Sequence, residues 1–241
     1  MSHLDELKIK ALSLMEAGGY PIKEEISLEV DEKLPFMGYT TERNGKTVIV
    51  IAGWSLKSEM SLGLTIHELS HVYRIETSHP SHNQTLHNRV LVDVLKGRTI
   101  YPYQKEILFN ILNTIQDLYA DDISFKVYIK EAQKENLSDF FLSWVHPVIN
   151  PVKTDEDIWK NAETLVNAAF AKANLKRHDV LDKDDKVKNA IAELLENISR
   201  EQASQFNFFV KLMVGLPEEV NDEEFKEILA EYISAFLKVV V

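Results

Sequence analysis

A β-branched segment that runs directly into an amphipathic helix constrains the fold of this chain more than any other feature. Residues 46–54, KTVIVIAGW, are rich in Val and Ile and predict a strand. From about residue 57 to residue 77 the apolar side chains recur at three- and four-residue steps, at Leu62, Ile66, Leu69 and Tyr73. This spacing predicts a helix with one buried face. His67 and His71 then lie one turn apart on an adjacent face.

The segments before this strand predict a small sheet. Residues 4–17 have helical spacing and end at GGY, and ISLEV (26–30) and MGYTTER (37–43) have strand-like composition. Asn44 and Gly45 form the NG pair that is typical of a tight hairpin turn. We therefore expect two or three antiparallel strands, with KTVIVIA as the strand that leads into the helix.

Helical patterns fill the rest of the chain, with segments predicted at residues 86–95, 104–132, 155–175, 184–214 and 222–239. The predicted fold class is α+β: a small antiparallel sheet packed on the helix at 57–77, followed by an all-helical C-terminal part. We divide the chain into a core at residues 1–132 and a helical region at residues 133–241.

Composition excludes several classes of protein and of site. The chain has 241 residues and no cysteine, so a metal would have to be held by His, Asp or Glu. A formal net charge of -11 opposes binding to a nucleic-acid backbone, and the apolar tail is too short and too charged to span a bilayer. We expect a cytoplasmic protein without nucleic-acid or membrane partners; the sequence leaves its oligomeric state open.

The helix at 57–77 carries the pattern H-E-x-x-H at His67, Glu68 and His71. In this pattern two imidazoles one turn apart can bind one Zn²⁺, and the glutamate between them can act as a general base. The neighbouring positions are uncharged, as a partly buried site requires: Thr65, Ile66, Leu69, Ser70 and Val72. The alternative is a surface helix whose histidines and glutamate are solvated.

With these residues the chain resembles the HExxH zincin metallopeptidases, in particular the gluzincin or minigluzincin type. The resemblance covers about residues 20–130, where KTVIVIAGW, TIHELSHVY and NTIQDLYADD follow in the order strand, HExxH helix and acidic helix. It implies a zinc-dependent peptidase acting on a peptide or protein substrate, with a strand along the cleft that pairs with the substrate backbone. Glu68 would take a proton from a zinc-bound water and deliver it to the leaving amine.

Catalytic zinc usually has three protein ligands, and the third is open in this sequence. The resemblance implies an acidic pair one helical turn apart, which DLYAD supplies as Asp117, the ligand, and Asp121, which would orient a ligand histidine. Aspartate replaces the usual glutamate and is one methylene shorter, so its helix would have to approach more closely. A SprT-like arrangement would instead use His82, whereas His79 and His87 fit a polar loop.

A second class of function also remains open: a zincin-fold protein that binds a metal or a partner without hydrolysing peptides. Glu68 favours catalysis, because a purely structural zinc site needs no general base. A group that stabilises the oxyanion is expected as well, but the sequence does not choose among Tyr101, Tyr103, Tyr119 and His146. The three tryptophans are predicted to be packing residues.

Overall fold

The structure is a computed structural model that describes residues 2–58, 60–128, 134–180 and 186–240. The chain forms two compact units, one of residues 1–82 with 119–131 and one of residues 83–118 with 132–241. This grouping differs from the sequence division at residue 132, because residues 83–118 belong with the C-terminal helices. The α+β class is confirmed.

A three-stranded mixed sheet lies in the first unit. Its strands are β1 (Ile26–Asp31), β2 (Gly38–Arg43) and β3 (Lys46–Ala52), in the order β1-β3-β2. β2 and β3 form the expected antiparallel hairpin, and both turn residues Asn44 and Gly45 have positive φ. The prediction of a purely antiparallel sheet is wrong, because β1 pairs with β3 rather than with β2 and runs parallel to it.

The central strand β3 is buried on both faces. Ile49 and Ile51 lie in the apolar cluster formed with the helices of this unit, whereas Val48 and Val50 pack in a second cluster on the opposite face. Burial on both sides accounts for the unbroken run of apolar residues in KTVIVIA. The strand expected along the cleft is thus an inner strand with neighbours on both sides, and β1 and β2 are the strands at the two edges.

Helices cover one face of the sheet in this unit. α1 (His3–Ala17) begins with a capping box made by Ser2 and Asp5, and a short α2 (Gly53–Leu56) follows β3 directly. α3 (Ser61–Glu76) buries a stripe at helical spacing, made of Leu62, Ile66, Leu69 and Val72. The predicted helix at 57–77 is therefore confirmed with a later start.

α3 ends in a tight reversal that leads to a 3₁₀ turn at Pro80–His82. Ser78 has a φ of 55°, and the backbone N–H groups of Ser78 and His79 donate to the carbonyls of Ile75 and Arg74. This is the pattern of a Schellman C-cap. It satisfies the last carbonyls of α3 and fixes the path of the chain into the 3₁₀ turn.

The long helix α5 (Pro102–Tyr128) belongs to both units, and the division falls between Leu118 and Tyr119 within the helix. In the first unit its C-terminal half packs on α3. There the buried Arg74 donates from Nε to the carbonyl of Tyr119 at 3.2 Å, and Ile123 joins the apolar cluster. These contacts position the acidic residues of α5 in this unit.

Helices are the regular elements of the second unit among its described residues. With the first part of α5 it comprises α4 (Gln84–Val94), α6 (Lys134–Leu142), α7 (Asp155–Arg177), α8 (Lys186–Glu196), α9 (Arg200–Gly215) and α10 (Asp222–Val239). One predicted helix, at 184–214, is two helices: Ser199 caps α9 in a capping box with Gln202, which starts a new helix after α8. Within the described ranges no helix is long and apolar enough to cross a membrane.

Candidate metal centre

The two histidines of α3 turn one nitrogen each toward the same point. His67 Nε2 and His71 Nε2 lie 3.0 Å apart, and the ring centroids are 4.7 Å apart with an interplanar angle of 84°. Both side chains are half-buried. Two zinc-bound nitrogens at bond lengths of about 2.0–2.1 Å in tetrahedral geometry lie roughly 3.3 Å apart, so this spacing suits a shared ion.

Asp117 of α5 completes a group of three possible ligands. One carboxylate oxygen of Asp117 and one ring nitrogen each of His67 and His71 all lie within 4.8 Å of one another. The three residues could therefore hold a metal ion. Two nitrogens and one carboxylate oxygen leave a position open for water or substrate, as catalytic zinc sites do.

Asp121 supports His67 from the side opposite the shared point. Its Oδ1 lies 2.7 Å from His67 Nδ1, and Ser124 donates from Oγ to the same oxygen at 3.3 Å. The carboxylate is buried in this unit, 6% exposed. A histidine that uses Nε2 as a ligand carries its proton on Nδ1, and a carboxylate acceptor there fixes the tautomer and the ring orientation.

His82 contacts His71 and lies outside the group of three. Its Nε2 is 2.7 Å from His71 Nδ1, the nitrogen that faces away from His67. His82 Nδ1 is in turn 2.8 Å from Ser81 Oγ, which is 2.7 Å from His79 Nδ1. His79 lies in the loop after α3, as expected, and its side chain is buried there.

His87, the other histidine expected in a polar loop, is also buried, but in the second unit. It belongs to α4 rather than to a loop, and its ring stacks on Phe225 with the centroids 5.6 Å apart. Packing against an aromatic core accounts for its position.

Glu68 lies on α3 between the two histidines and is only 5% exposed. Thr40 of β2 donates from Oγ1 to Glu68 Oε2 at 2.7 Å, which holds the carboxylate in one orientation. The second oxygen, Oε1, lies close to Gly38, where an added Cβ would come within 3.7 Å of it. The carboxylate is therefore held through one oxygen, and the other lies beside a residue without a side chain.

Sequence reasoning missed Thr40 and Ser81, which both hold groups of the site. Thr40 is one of two adjacent threonines in β2, and only the strand pairing decides which of them faces α3. Ser81 lies in the loop after α3, whose path depends on the reversal at Ser78. No spacing rule finds such contacts.

Two of the oxyanion candidates make side-chain contacts of their own. Tyr119 is fully buried and packs on the His79 ring with the centroids 4.7 Å apart. Tyr103 lies in the second unit and donates to Asp155 there. Trp159 is a packing residue as predicted, but Trp54 is half exposed, 51%, and donates from Nε1 to the carbonyl of Leu34.

Comparisons with known proteins match the chain to a family, whereas no curated protein and no solved structure matches it. One family model, described as a family of unknown function (DUF5781), matches residues 8–238 and so includes α3, Asp117 and Asp121. The chain therefore belongs to the DUF5781 family.

Proposed function

We propose that this protein is a zinc-dependent metallopeptidase in which His67, His71 and Asp117 hold the ion and Glu68 is the general base. The observation that supports it most is the convergence of His67 Nε2 and His71 Nε2 at 3.0 Å on a helix that also carries a buried glutamate. The resemblance to gluzincins assigns the same roles to these residues.

Bound zinc would supply Lewis acidity, which polarises the scissile carbonyl and makes a water easier to deprotonate. Glu68 takes the proton from the water that attacks the carbonyl and returns it to the leaving nitrogen. Thr40 keeps Glu68 Oε2 engaged, so Oε1 is the oxygen that carries the proton. Asp121 keeps His67 turned with Nε2 toward the ion.

The edge strand β2 supports a peptide as the substrate. Ala52 N donates to Met37 O at 2.9 Å, so alternate residues along β2 direct their backbone groups toward β3. The backbone N–H and C=O of Gly38 and Thr40 then point away from β3, on the side where the described residues place no further strand. An extended substrate could pair there as an added strand, next to Glu68.

The test is zinc binding and peptide cleavage by the full chain and by Glu68→Gln. The purified protein, reconstituted with zinc, is expected to hold about one zinc per chain and to cleave members of a mixed peptide library. Glu68→Gln is expected to keep its zinc and to lose cleavage on the order of a hundredfold or more, because the base is not a ligand. Glu231→Gln, an exposed glutamate on α10, is the control.

Elemental analysis and mass spectrometry of the peptide products separate the possible outcomes. A reconstituted protein without metal refutes the proposal. Stoichiometric zinc without cleavage of any peptide favours the second class of function, a zincin-fold protein that binds metal or a partner. Cleavage by Glu68→Gln at the normal rate would exclude Glu68 as the base.

A further inference from the structure

We infer that His82 is a positioning residue for His71, which it holds as a neutral hydrogen-bond acceptor so that His71 Nε2 faces the ion. The inference rests on the proposed metal site and gives His71 a support of its own, as Asp121 gives one to His67. It assigns a role to the histidine that the sequence offered only as a rival third ligand.

The proposed ligand role of His71 sets the direction of its hydrogen bond to His82. His71 Nε2 lies 3.0 Å from His67 Nε2, and its Nδ1 lies 2.7 Å from His82 Nε2. A neutral imidazole that offers Nε2 to a metal carries its proton on Nδ1. His71 Nδ1–H therefore donates to His82 Nε2, which must be unprotonated to accept.

The hydrogen bonds beyond His82 can run in the same donor-to-acceptor direction. With Nε2 as the acceptor, His82 carries its own proton on Nδ1, which donates to Ser81 Oγ at 2.8 Å. Ser81 Oγ–H can then donate to His79 Nδ1 at 2.7 Å. Each bond of the series has one donor and one acceptor, so the ligand role of His71 and the tautomer of His82 are mutually consistent.

Backbone contacts hold this series in place. The Schellman reversal at Ser78 directs the chain into the 3₁₀ turn, and His82 N donates to the carbonyl of His79 at 3.0 Å. Pro80, Ser81 and His79 are all buried. A fixed acceptor costs less entropy on metal binding than one that must be ordered, which is the property required of a positioning residue.

A ligand role fits His82 less well than a positioning role. Its Nε2 is directed at the far nitrogen of His71, and the three residues whose donor atoms converge are His67, His71 and Asp117. For Nε2 of His82 to reach the ion, the hydrogen bond to His71 would have to break and the 3₁₀ turn would have to move. The two roles predict different responses to a glutamine at position 82.

The experiment measures zinc affinity of the full chain by competition with a chromogenic chelator. His82→Ala is expected to bind zinc about 10- to 100-fold more weakly, the usual effect of losing a group that orients a metal ligand. His82→Gln is expected to recover most of that loss, because its amide oxygen can accept from His71 Nδ1–H. Ser81→Ala is expected to weaken binding by only a few-fold, and His3→Ala, an exposed histidine on α1, serves as the control.

Two further readouts separate positioning from ligation and from folding. The electronic spectrum of the Co²⁺-substituted protein should be the same in His82→Gln as in the parent, because the ligand set is unchanged. The melting temperature of the metal-free proteins shows whether a variant is folded; should His82→Ala not fold, His82→Gln and Ser81→Ala provide the comparison.

Each outcome decides one point. A parent protein that binds no zinc overturns the proposed function itself, whatever the variants do. A parent that binds zinc, with His82→Ala binding equally well, overturns the role of His82 alone. Equal losses in His82→Ala and His82→Gln, with a changed Co²⁺ spectrum, would make His82 a ligand and likewise overturn the inference.

Discussion

Removing the carboxylate of Asp121 is the most direct test of the proposed metal site. The 2.7 Å contact between Asp121 Oδ1 and His67 Nδ1 is short, as a charge-assisted hydrogen bond is. Such bonds contribute about 1.5–3 kcal/mol. At about 1.4 kcal/mol for each tenfold change in affinity, Asp121→Ala should weaken zinc binding by about 10- to 100-fold.

The asparagine variant refines this estimate. Asp121→Asn keeps an oxygen that can accept from His67 but loses the charge, and a neutral bond is roughly half as strong as a charge-assisted one. We therefore expect Asp121→Asn to bind zinc about three- to tenfold more weakly than the parent, a smaller loss of affinity than that of Asp121→Ala. Because Asp121 is buried and also accepts from Ser124, unfolding of each metal-free variant must be measured alongside.

Chelator competition at constant pH measures the zinc affinity of the three proteins. Asp93→Ala removes an exposed acid on α4 and controls for the general loss of negative charge. Equal affinities of the parent and of Asp121→Ala would refute the reasoning, because His67 would then not depend on this bond. The geometry requires that zinc affinity decreases from the parent to Asp121→Asn and from Asp121→Asn to Asp121→Ala.

Four further predictions follow from other contacts. Asp117→Ala should weaken zinc binding more than Asp121→Ala does in the same chelator assay, because it removes one of the three proposed ligands. Thr40→Val should lower peptide cleavage by about tenfold with zinc affinity unchanged, since it removes the hydrogen bond to Glu68, and Thr40→Ser should retain activity. Ser78→Gly should raise the free energy of unfolding by about 0.5–1 kcal/mol in urea titrations, because φ at this position is 55° and glycine adopts that conformation without steric cost. Burial raises the pKa of the Tyr232 phenol well above its usual value, so the unfolded chain loses this proton above about pH 10 while the folded chain keeps it. The free energy of unfolding should therefore fall as pH rises beyond that point, and Tyr232→Phe should make the fall less steep.

Periodicity and turn chemistry were enough to predict the elements that carry the site. The helix with His67, Glu68 and His71 and the hairpin at Asn44 follow from local sequence, because spacing along one helix or across one turn determines which side chains are neighbours. The resemblance to gluzincins implied the pair Asp117 and Asp121, and helical spacing places these two residues one turn apart on α5. These are contacts for which sequence distance is a good guide to spatial distance.

Long-range pairing was beyond such rules. Whether β1 joins β2 or β3 is a pairing between segments distant in sequence, and the antiparallel expectation failed at this choice. The support of Glu68 by Thr40 depends on that sheet, and the contact of His82 with His71 depends on one left-handed residue at position 78. The site residues that sequence missed are those whose positions are set by tertiary structure.

The strand order β1-β3-β2 also has a consequence for the order in which the first unit folds. Arg43 and Lys46 pair across a two-residue turn, so closing the hairpin β2–β3 fixes only a short loop. β1 must bring together residues as distant as Ile26 and Thr47, which costs more chain entropy, so it should add to a hairpin that already exists. In pulse-labelling hydrogen exchange the amides shared by β2 and β3 should gain protection before those shared by β1 and β3. β2, whose Thr40 donates to Glu68, would then be paired early, and the parallel pairing of β1 with β3 would complete the sheet afterwards.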